Sequence, residues 1–346
     1  MNDNFDFSND FNNEINMTED EQKSHKKIFS KLAFCFLAYF LIAQLLSVIA
    51  AFITGKLSPQ LYNSQEFMLI LSSVIQYIIA LPIFWLCIKS IPKRAPVKNH
   101  VNTKRVLQYL VVCMFFMYVG NYISTFLMTE VETLLGRTPE NAVNTLLGST
   151  NLWLSALIVG IIGPVCEELI FRKFAIDRLT PYGEVTAILL PSFIFGLFHG
   201  NLYQFFYAFL IGVIFSYVYI KTGKIIYSIG LHIFINMFCG ILPSLVFKML
   251  DYNELMTLVE AGTITEEYIS ANALPILLFI IYSYGMLAMV GVGMFVLLRN
   301  IKNIQINKGE VRFPKGAALD VVTFNAGTIV LVATCLILVA LNTFGT

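Results

Sequence analysis

The stretch LIVGIIGPVCEELIFRKF, residues 157–174, places two glutamates and an arginine inside a segment that is otherwise apolar. With the apolar residues that precede it, the segment reaches the roughly 20 residues that a helix needs to cross a bilayer. A charged residue at the centre of such a helix costs about 2.5–3.5 kcal/mol. Glu167, Glu168 and Arg172 therefore predict a membrane helix whose charges face the interior of a protein bundle rather than lipid.

Apolar runs on both sides of this segment predict an all-α fold, a polytopic transmembrane helical bundle of about nine spans. Of the 346 residues, 57% are hydrophobic and 13% charged, whereas soluble proteins carry about 25% charged residues. This composition excludes a soluble, disordered or fibrous protein. The fifth span is short, and the Gly-Asn that follows it predicts a helical hairpin with a protein-covered turn. The predicted spans are 32–54, 67–88, 106–128, 152–174, 185–199, 203–220, 225–247, 273–298 and 321–343.

The basic residues are distributed very unevenly over the predicted loops. If the N-terminus is cytoplasmic, all of the 23 lysines and arginines except Lys56, Arg137 and Lys248 lie on the inner side. Cytoplasmic loops carry an excess of Lys and Arg, so the pattern predicts a multi-pass plasma-membrane protein with its N-terminus inside. The surroundings are then membrane lipid, and a net charge of +1 gives no argument for a nucleic-acid partner.

Composition divides the chain into five parts, with the polar residues of interest in the third. The N-terminal part is rich in Asn and Asp and predicts disorder, since it has too few apolar residues to form a core. The predicted parts are a disordered polar tail (1–30), N-terminal transmembrane helices (31–130), a catalytic core (150–248), an external acidic connector (249–272) and C-terminal transmembrane helices (273–346).

Two further predicted spans contain polar residues of the kinds that catalyse reactions. Residues 187–201, AILLPSFIFGLFHGN, contain His199. Residues 225–241, IIYSIGLHIFINMFCGI, contain His232 and Asn236, which lie four residues apart and so share a helix face. Such residues are rare inside membranes and are usually functional.

Helical geometry assigns different surroundings to the charged residues. Glu168 and Arg172 are four residues apart, so they share a face and can pair. Glu167 points about 100° away from Glu168 and has no cation three or four residues further along the chain. Its carboxylate is therefore available for catalysis. Phe195 and His199 also share the four-residue spacing, which predicts an aromatic ring against the imidazole.

The polar residues converge in depth as well. At 1.5 Å per residue they lie roughly 12–23 Å from the basic ends of their helices, in one middle layer. Glu167 can act there as a general base and His199 can hold or activate a water, while His232 and Asn236 can donate hydrogen bonds to an oxyanion. No serine lies beside a histidine as a nucleophile would, so the sequence favours hydrolysis by water over a covalent intermediate.

Three motifs, EExxxR, FxxxH and HxxxN, each in its own predicted span, resemble the CPBP family. This family comprises CAAX prenyl endopeptidases and bacteriocin-processing or immunity proteins, also called the Abi family. The resemblance covers about 152–245 and implies an intramembrane endopeptidase with a cavity that opens toward the cytoplasm. The motif residues here are Glu167, Glu168, Arg172, Phe195, His199, His232 and Asn236.

By position, the resemblance implies that Glu167 activates the water and His199 positions it. His232 and Asn236 would bind the oxyanion, while Glu168 and Arg172 would support the site. A metal-free site is favoured because no HExxH is present and asparagine is a poor zinc ligand. The alternative is a zinc site with Glu167, His199 and His232 as ligands.

Two other functions stay open, as does the substrate. A CPBP-like protein could act without proteolysis, as a membrane scaffold or immunity protein, and the intramembrane glutamate and histidines could also serve a proton-coupled transporter. The absence of internal repeats disfavours the transporter. For a protease, the expected substrate is a membrane protein or a peptide precursor, such as that of a bacteriocin or signalling peptide. The sequence leaves the oligomeric state open.

Overall fold

A computed structural model describes residues 17–139, 141–250, 252–314 and 316–345, and every regular element within these residues is helical. Eight of the helices are long and apolar enough to cross a membrane, and the fifth predicted span is a separate helix of 15 residues. The predicted polytopic bundle is thus confirmed. The helices are α1 (Glu19–Leu57), α2 (Gln65–Ile88), α3 (Thr103–Leu135), α4 (Leu152–Tyr182), α5 (Glu184–Phe198), α6 (Leu202–Thr222), α7 (Ile225–Leu250), α8 (Ala273–Asn303) and α9 (Ala326–Phe344).

The first helix begins earlier than the sequence analysis predicts. Thr18 caps α1: its hydroxyl accepts from the Glu21 amide at 3.3 Å, and the Glu21 carboxylate accepts from the Thr18 amide at 2.8 Å. Acidic residues in the first turn further stabilise a helix start. The predicted disorder over 1–30 is therefore wrong from Glu19 onward, and residues 1–16 lie outside the described part of the chain.

The acidic segment predicted as a connector, residues 249–272, is largely helical. Its first residues complete α7, and two short helices follow, Tyr252–Ala261 and Glu266–Ala271. Thr265 caps the second of these by accepting a hydrogen bond from the Tyr268 amide at 3.1 Å. That this connector lies outside the cell stays a prediction.

Wider π-helical turns interrupt the helices that surround the centre of the bundle. Each of three π-helical stretches ends just before a proline. Proline lacks the amide hydrogen of a regular helix and crowds the preceding turn, so it promotes such irregularities. The stretches and their prolines are Val74–Ala80 with Pro82 in α2, Ile158–Ile162 with Pro164 in α4, and Asn236–Ile241 with Pro243 in α7.

The connectors predicted to be cytoplasmic meet at one end of the bundle. Backbone and side-chain hydrogen bonds join the start of α1 to the short helix before α9, the connector after α2 to the end of α4, and the connector before α3 to the end of α6. This arrangement fits the helix directions that the charge distribution predicts, while the membrane side of the N-terminus stays a prediction. The bonds are Lys26 to Asp320 at 2.8 Å, the Arg94 amide to the Asp177 carbonyl at 2.5 Å, and the Asn99 amide to the Thr222 carbonyl at 2.8 Å.

The predicted hairpin between α5 and α6 is present, and its turn is covered by protein. Gly200 adopts a left-handed conformation with φ of 67°, which glycine allows without strain, and Asn201 caps α6. Asn342 of α9 donates a hydrogen bond to the Gly200 carbonyl at 2.8 Å, and Asn201 donates to the His199 carbonyl at 2.8 Å. These bonds fix the end of α5, and with it the backbone of His199.

An aromatic core holds α1, α4 and α5 together beside the polar residues. The Phe171 ring lies 5.6 Å from Phe36, 5.1 Å from Phe195 and 5.4 Å from Phe198, between ring centres. Phe36, Phe171 and Phe195 are all almost fully buried. Because these rings pack against one another, the helix faces that carry Glu167 and His199 have little freedom to separate.

Candidate active site

The Glu168–Arg172 pair predicted from helical spacing is present at the centre of the bundle. Arg172 Nη1 lies 2.9 Å from Glu168 Oε1, and both side chains are completely buried. The guanidinium also donates to the Gly212 carbonyl at 3.2 Å and lies over the Phe195 and Phe215 rings, 4.6 and 5.3 Å from their centres. The positive charge is therefore enclosed by a carboxylate, a carbonyl and two aromatic faces.

His232 joins this pair to the second glutamate. Its Nδ1 lies 3.0 Å from Glu168 Oε1, and its Nε2 lies 3.6 Å from Glu167 Oε2. An ionised carboxylate only accepts hydrogen bonds, so Nδ1 is the donor and the ring orientation is fixed. This bond is not predicted from the sequence, since helical spacing shows which residues share a face but not which neighbouring helix that face meets.

His199 is held by its own helix. Its Nδ1 donates to the Phe195 carbonyl at 2.8 Å, because a carbonyl can only accept. The neutral ring then presents Nε2 as an acceptor. The predicted contact with the aromatic residue is confirmed: the Phe195 and His199 rings meet edge to face, with centres 4.9 Å apart.

Asn236 lies where α7 changes from α- to π-helical geometry. Its amide nitrogen donates to the Val159 carbonyl at 2.8 Å, and Val159 belongs to a π-helical stretch of α4. This bond uses one of the two amide hydrogens and fixes the carboxamide. Within the described residues, no hydrogen bond uses the second hydrogen, so it can serve a ligand.

Two cavities meet at Glu167. The central cavity, of about 400 Å³, lies between α2, α3, α4, α5, α6 and α7 and is lined by all four predicted catalytic residues, Glu167, His199, His232 and Asn236. The α1–α2 cavity, of about 290 Å³, lies between α1, α2, α4 and α5. Glu167 and His199 line both cavities, and the Glu167 side chain is 22% exposed, in contrast to the fully buried Glu168.

Helices α1 and α2 contribute polar residues to these cavities that are not among the residues predicted from the sequence. Gln76 lines both cavities and Tyr77 lines the central one, while Gln44 and Ser47 of α1 line the α1–α2 cavity. Each is a polar residue inside an apolar span, and this signal could have identified them, because polar side chains in membrane helices usually face a protein interior or a water-filled cavity.

The predicted zinc alternative can be compared with the side chains present. Within the described residues, no group of three or more His, Cys, Asp or Glu side chains is placed to hold a metal ion. Both histidines use Nδ1 for a hydrogen bond and keep Nε2 for another partner, so these bonds do not decide between a water and a metal ion. That catalysis needs no metal stays a prediction.

The fold makes this chain a multi-pass membrane protein, and comparison with known proteins places it further. Residues 149–238 match the family described as type II CAAX prenyl endopeptidase Rce1-like. This segment contains every site residue predicted above. The chain belongs to the CPBP family of CAAX-type proteases, and it is a membrane protein of the protease kind.

Two bacterial relatives support this assignment. The chain is 30% identical over 155 residues to UPF0177 protein YxdF from Lactococcus lactis, an alignment that covers 44% of this chain and 86% of that protein. It is 27% identical over 179 residues to "Putative membrane peptidase YdiL" from Bacillus subtilis, covering 49% of this chain and 70% of the relative. No solved structure matches significantly.

Proposed function

We propose that the chain is an intramembrane endopeptidase that hydrolyses a peptide bond with a water activated by Glu167. The observation that carries this proposal is the position of the Glu167 carboxylate, at the junction of two cavities and beside His199. A general base must reach both the water and the substrate carbonyl. Among the two adjacent glutamates, only Glu167 faces space in which a substrate can lie, because Glu168 is fully buried in its ion pair.

The first step forms the attacking group. Glu167 removes one proton from the water. His199 Nε2 accepts a hydrogen bond from the other O–H of the water and so holds the water in place. The oxygen then bonds to the carbonyl carbon, and the carbonyl oxygen becomes a tetrahedral oxyanion. The C–N bond breaks as the protonated Glu167 returns its proton to the leaving amine, which yields a free carboxyl and a free amino group and restores the carboxylate.

Asn236 is the principal candidate to stabilise the oxyanion. Its carboxamide is fixed by Val159, and its second N–H can point at the developing charge without rearrangement. His232 can assist only through Nε2, because its Nδ1–H donates a hydrogen bond to Glu168. Nε2 can donate only when the ring carries both protons, so Asn236 is the donor that requires no change of protonation.

Glu168 and Arg172 act as positioning residues in this proposal. They touch neither the water nor the substrate, but Glu168 holds His232 and Arg172 holds Glu168. The proposed steps use no metal ion, since each proton transfer uses a side chain of the chain itself.

The substrate we expect is a membrane-associated protein or peptide precursor. A polar site inside a helical bundle is reached by a chain that is itself in or at the membrane. We propose the plasma membrane as its location, with the basic connectors on the cytoplasmic side, because these connectors meet at one end of the bundle.

The test is hydrolysis of peptides by the purified full chain in lipid nanodiscs, with the products identified by mass spectrometry. Glu167→Gln should abolish cleavage, because an amide cannot accept the proton. Glu130→Gln removes an exposed carboxylate of α3 and should leave cleavage unchanged. Hydrolysis by Glu167→Gln at the wild-type rate would overturn the proposal. Binding of a peptide without hydrolysis by the wild type would favour the scaffold function instead.

A further inference from the structure

The two cavities provide binding space on both sides of the proposed catalytic water. They share Glu167, His199 and Phe195, together with Ser72 and Gln76 of α2. A peptide bond held at Glu167 therefore has the central cavity on one side and the α1–α2 cavity on the other. An extended peptide advances about 3.3 Å per residue, so residues next to the cleaved bond fall into different cavities.

The α1–α2 cavity is the more polar of the two, since a larger share of its lining is polar. Gln44 and Ser47 contribute an amide and a hydroxyl from α1, and Gln76 contributes an amide from α2. Between Lys31 and Lys56, α1 is otherwise almost entirely apolar. Polar groups at the lipid surface would be unfavourable, so their presence on the helix face that lines this cavity favours a polar or hydrated occupant.

The central cavity has the larger apolar wall. Besides the catalytic residues, its polar side chains lie on α2 and α6, whereas α3, the short helix Ala142–Ser149, α4 and α7 contribute apolar ones. The polar side chains on α2 and α6 are Ser72, Ser73, Gln76, Tyr77, Gln204 and Tyr207. An apolar side chain is stabilised when it leaves water for such a wall, whereas a polar side chain loses hydrogen bonds there. The apolar side chains that line it include Leu69, Met117, Leu146, Leu147, Ile158 and Ile235.

We propose that the protein selects a peptide bond at the boundary between a polar and an apolar segment, with polar residues in the α1–α2 cavity and apolar residues in the central cavity. This inference rests on the proposed function. It assigns to α1, which lies outside the family match at 149–238, a binding site for the polar side of the substrate. Such a boundary occurs where a hydrophobic segment in the membrane joins a hydrophilic one.

The experiment uses three peptides of equal length and the wild-type chain in nanodiscs. One peptide joins a polar block to an apolar block, one is polar throughout and one is apolar throughout. The first should be cut at the block boundary, at least about tenfold faster than either uniform peptide is cut anywhere. Equal rates, or cleavage positions unrelated to the boundary, would overturn the inference while leaving the proposed function intact.

Variants of α1 test the assignment of the polar cavity. Ser47→Leu and Gln44→Leu should each lower kcat/KM for the two-block peptide and raise it for the uniformly apolar one. Val48→Leu, at a side chain that is 65% exposed on the same helix, is the matched control and should change neither value. If both variants slow all peptides equally, the cavity only admits water and the inference fails. If the wild type cuts no peptide, both this inference and the proposed function fail.

Discussion

His232 Nδ1 and Glu168 Oε1 lie 3.0 Å apart, and this hydrogen bond separates the roles of two adjacent glutamates. Glu168 is enclosed by His232 and Arg172 and has no exposed surface. Glu167, its neighbour in sequence, lines two cavities and lies 3.6 Å from the other nitrogen of the same imidazole. One carboxylate thus holds the site together, and the other faces the space available to a ligand.

The buried ion pair leads to a prediction about stability. Glu168→Gln removes the negative charge that both Arg172 and His232 contact, and loss of one partner of a buried pair costs about 3–5 kcal/mol. Glu168→Gln should therefore lower the midpoint of thermal unfolding and the yield of folded protein. Fluorescence-detected size-exclusion chromatography of heated samples measures this directly.

Glu167→Gln is the control for that measurement, since its side chain is 22% exposed and is not enclosed by Arg172. It should unfold near the wild-type temperature although it is expected to be inactive. The assignment of roles fails if the two variants have the same thermal stability.

Asn236 leads to a prediction about rate. Removal of one oxyanion donor typically lowers kcat by about 10²–10³. Asn236→Ala should show a decrease of this size with little change in KM, and Asn236→Asp should be at least as damaging, because a second carboxylate would repel the oxyanion. Steady-state kinetics on one defined peptide measure both constants.

Asn300→Ala provides a matched comparison, since Asn300 also donates to a backbone carbonyl of a membrane helix but lies outside the two cavities. It should retain wild-type kinetics. A decrease in kcat of the same size in Asn300→Ala and Asn236→Ala would remove the argument for an oxyanion role.

Gly212 allows Arg172 to approach α6. A Cβ at this position would lie 3.1 Å from Arg172 Nη2, 3.2 Å from Phe195 Cδ1 and 3.3 Å from Ser192 Cβ. Overpacking of a tight core costs about 1–3 kcal/mol, so Gly212→Ala should be destabilised by about that amount in thermal or denaturant unfolding. At Gly230, no described atom outside the adjoining helix backbone lies within 4 Å of an added Cβ, so Gly230→Ala should be at least as stable as the wild type. Equal stability of the two variants would contradict the packing described for Arg172.

Catalysis is predicted to need no metal ion. Activity on a defined peptide should survive exhaustive chelation, and the purified chain should carry far less than one zinc per molecule. Both quantities are measured on the same sample. Stoichiometric zinc that is lost and restored together with activity would instead make Glu167, His199 and His232 metal ligands.

The direction of the chain in the membrane is a further prediction. Reporter fusions after Lys98 and Arg312 should be cytoplasmic, because both positions lie in connectors that carry the excess of basic residues. Fusions after Arg137 and at the C-terminus should be external. A cytoplasmic C-terminus would require an even number of membrane crossings, which would mean that α5 and α6 together cross the membrane only once.

Much of the bundle was predictable because its determinants are local. Apolar length identified the spans, the four-residue spacing paired Glu168 with Arg172 and Phe195 with His199, and polar residues in apolar runs marked the core. The start of α1 was missed although its signal is local too, since Thr18 and Glu21 form a capping box. Low hydrophobicity predicts disorder there, but capping and helix-favouring charges are sufficient for a helix.

The tertiary structure alone decided which helix faces meet. Spacing along α4 and α7 places Glu168 and His232 on their own helices, but the hydrogen bond between them depends on the rotation and relative height of two helices. The same holds for Asn236 and the Val159 carbonyl, which meet where both helices adopt π geometry. Sequence determines the polarity and periodicity of each helix, since these act within a few residues. The packing of side chains far apart in the chain fixes how the helices are turned toward one another, and that packing determines which carboxylate is enclosed and which faces the cavities.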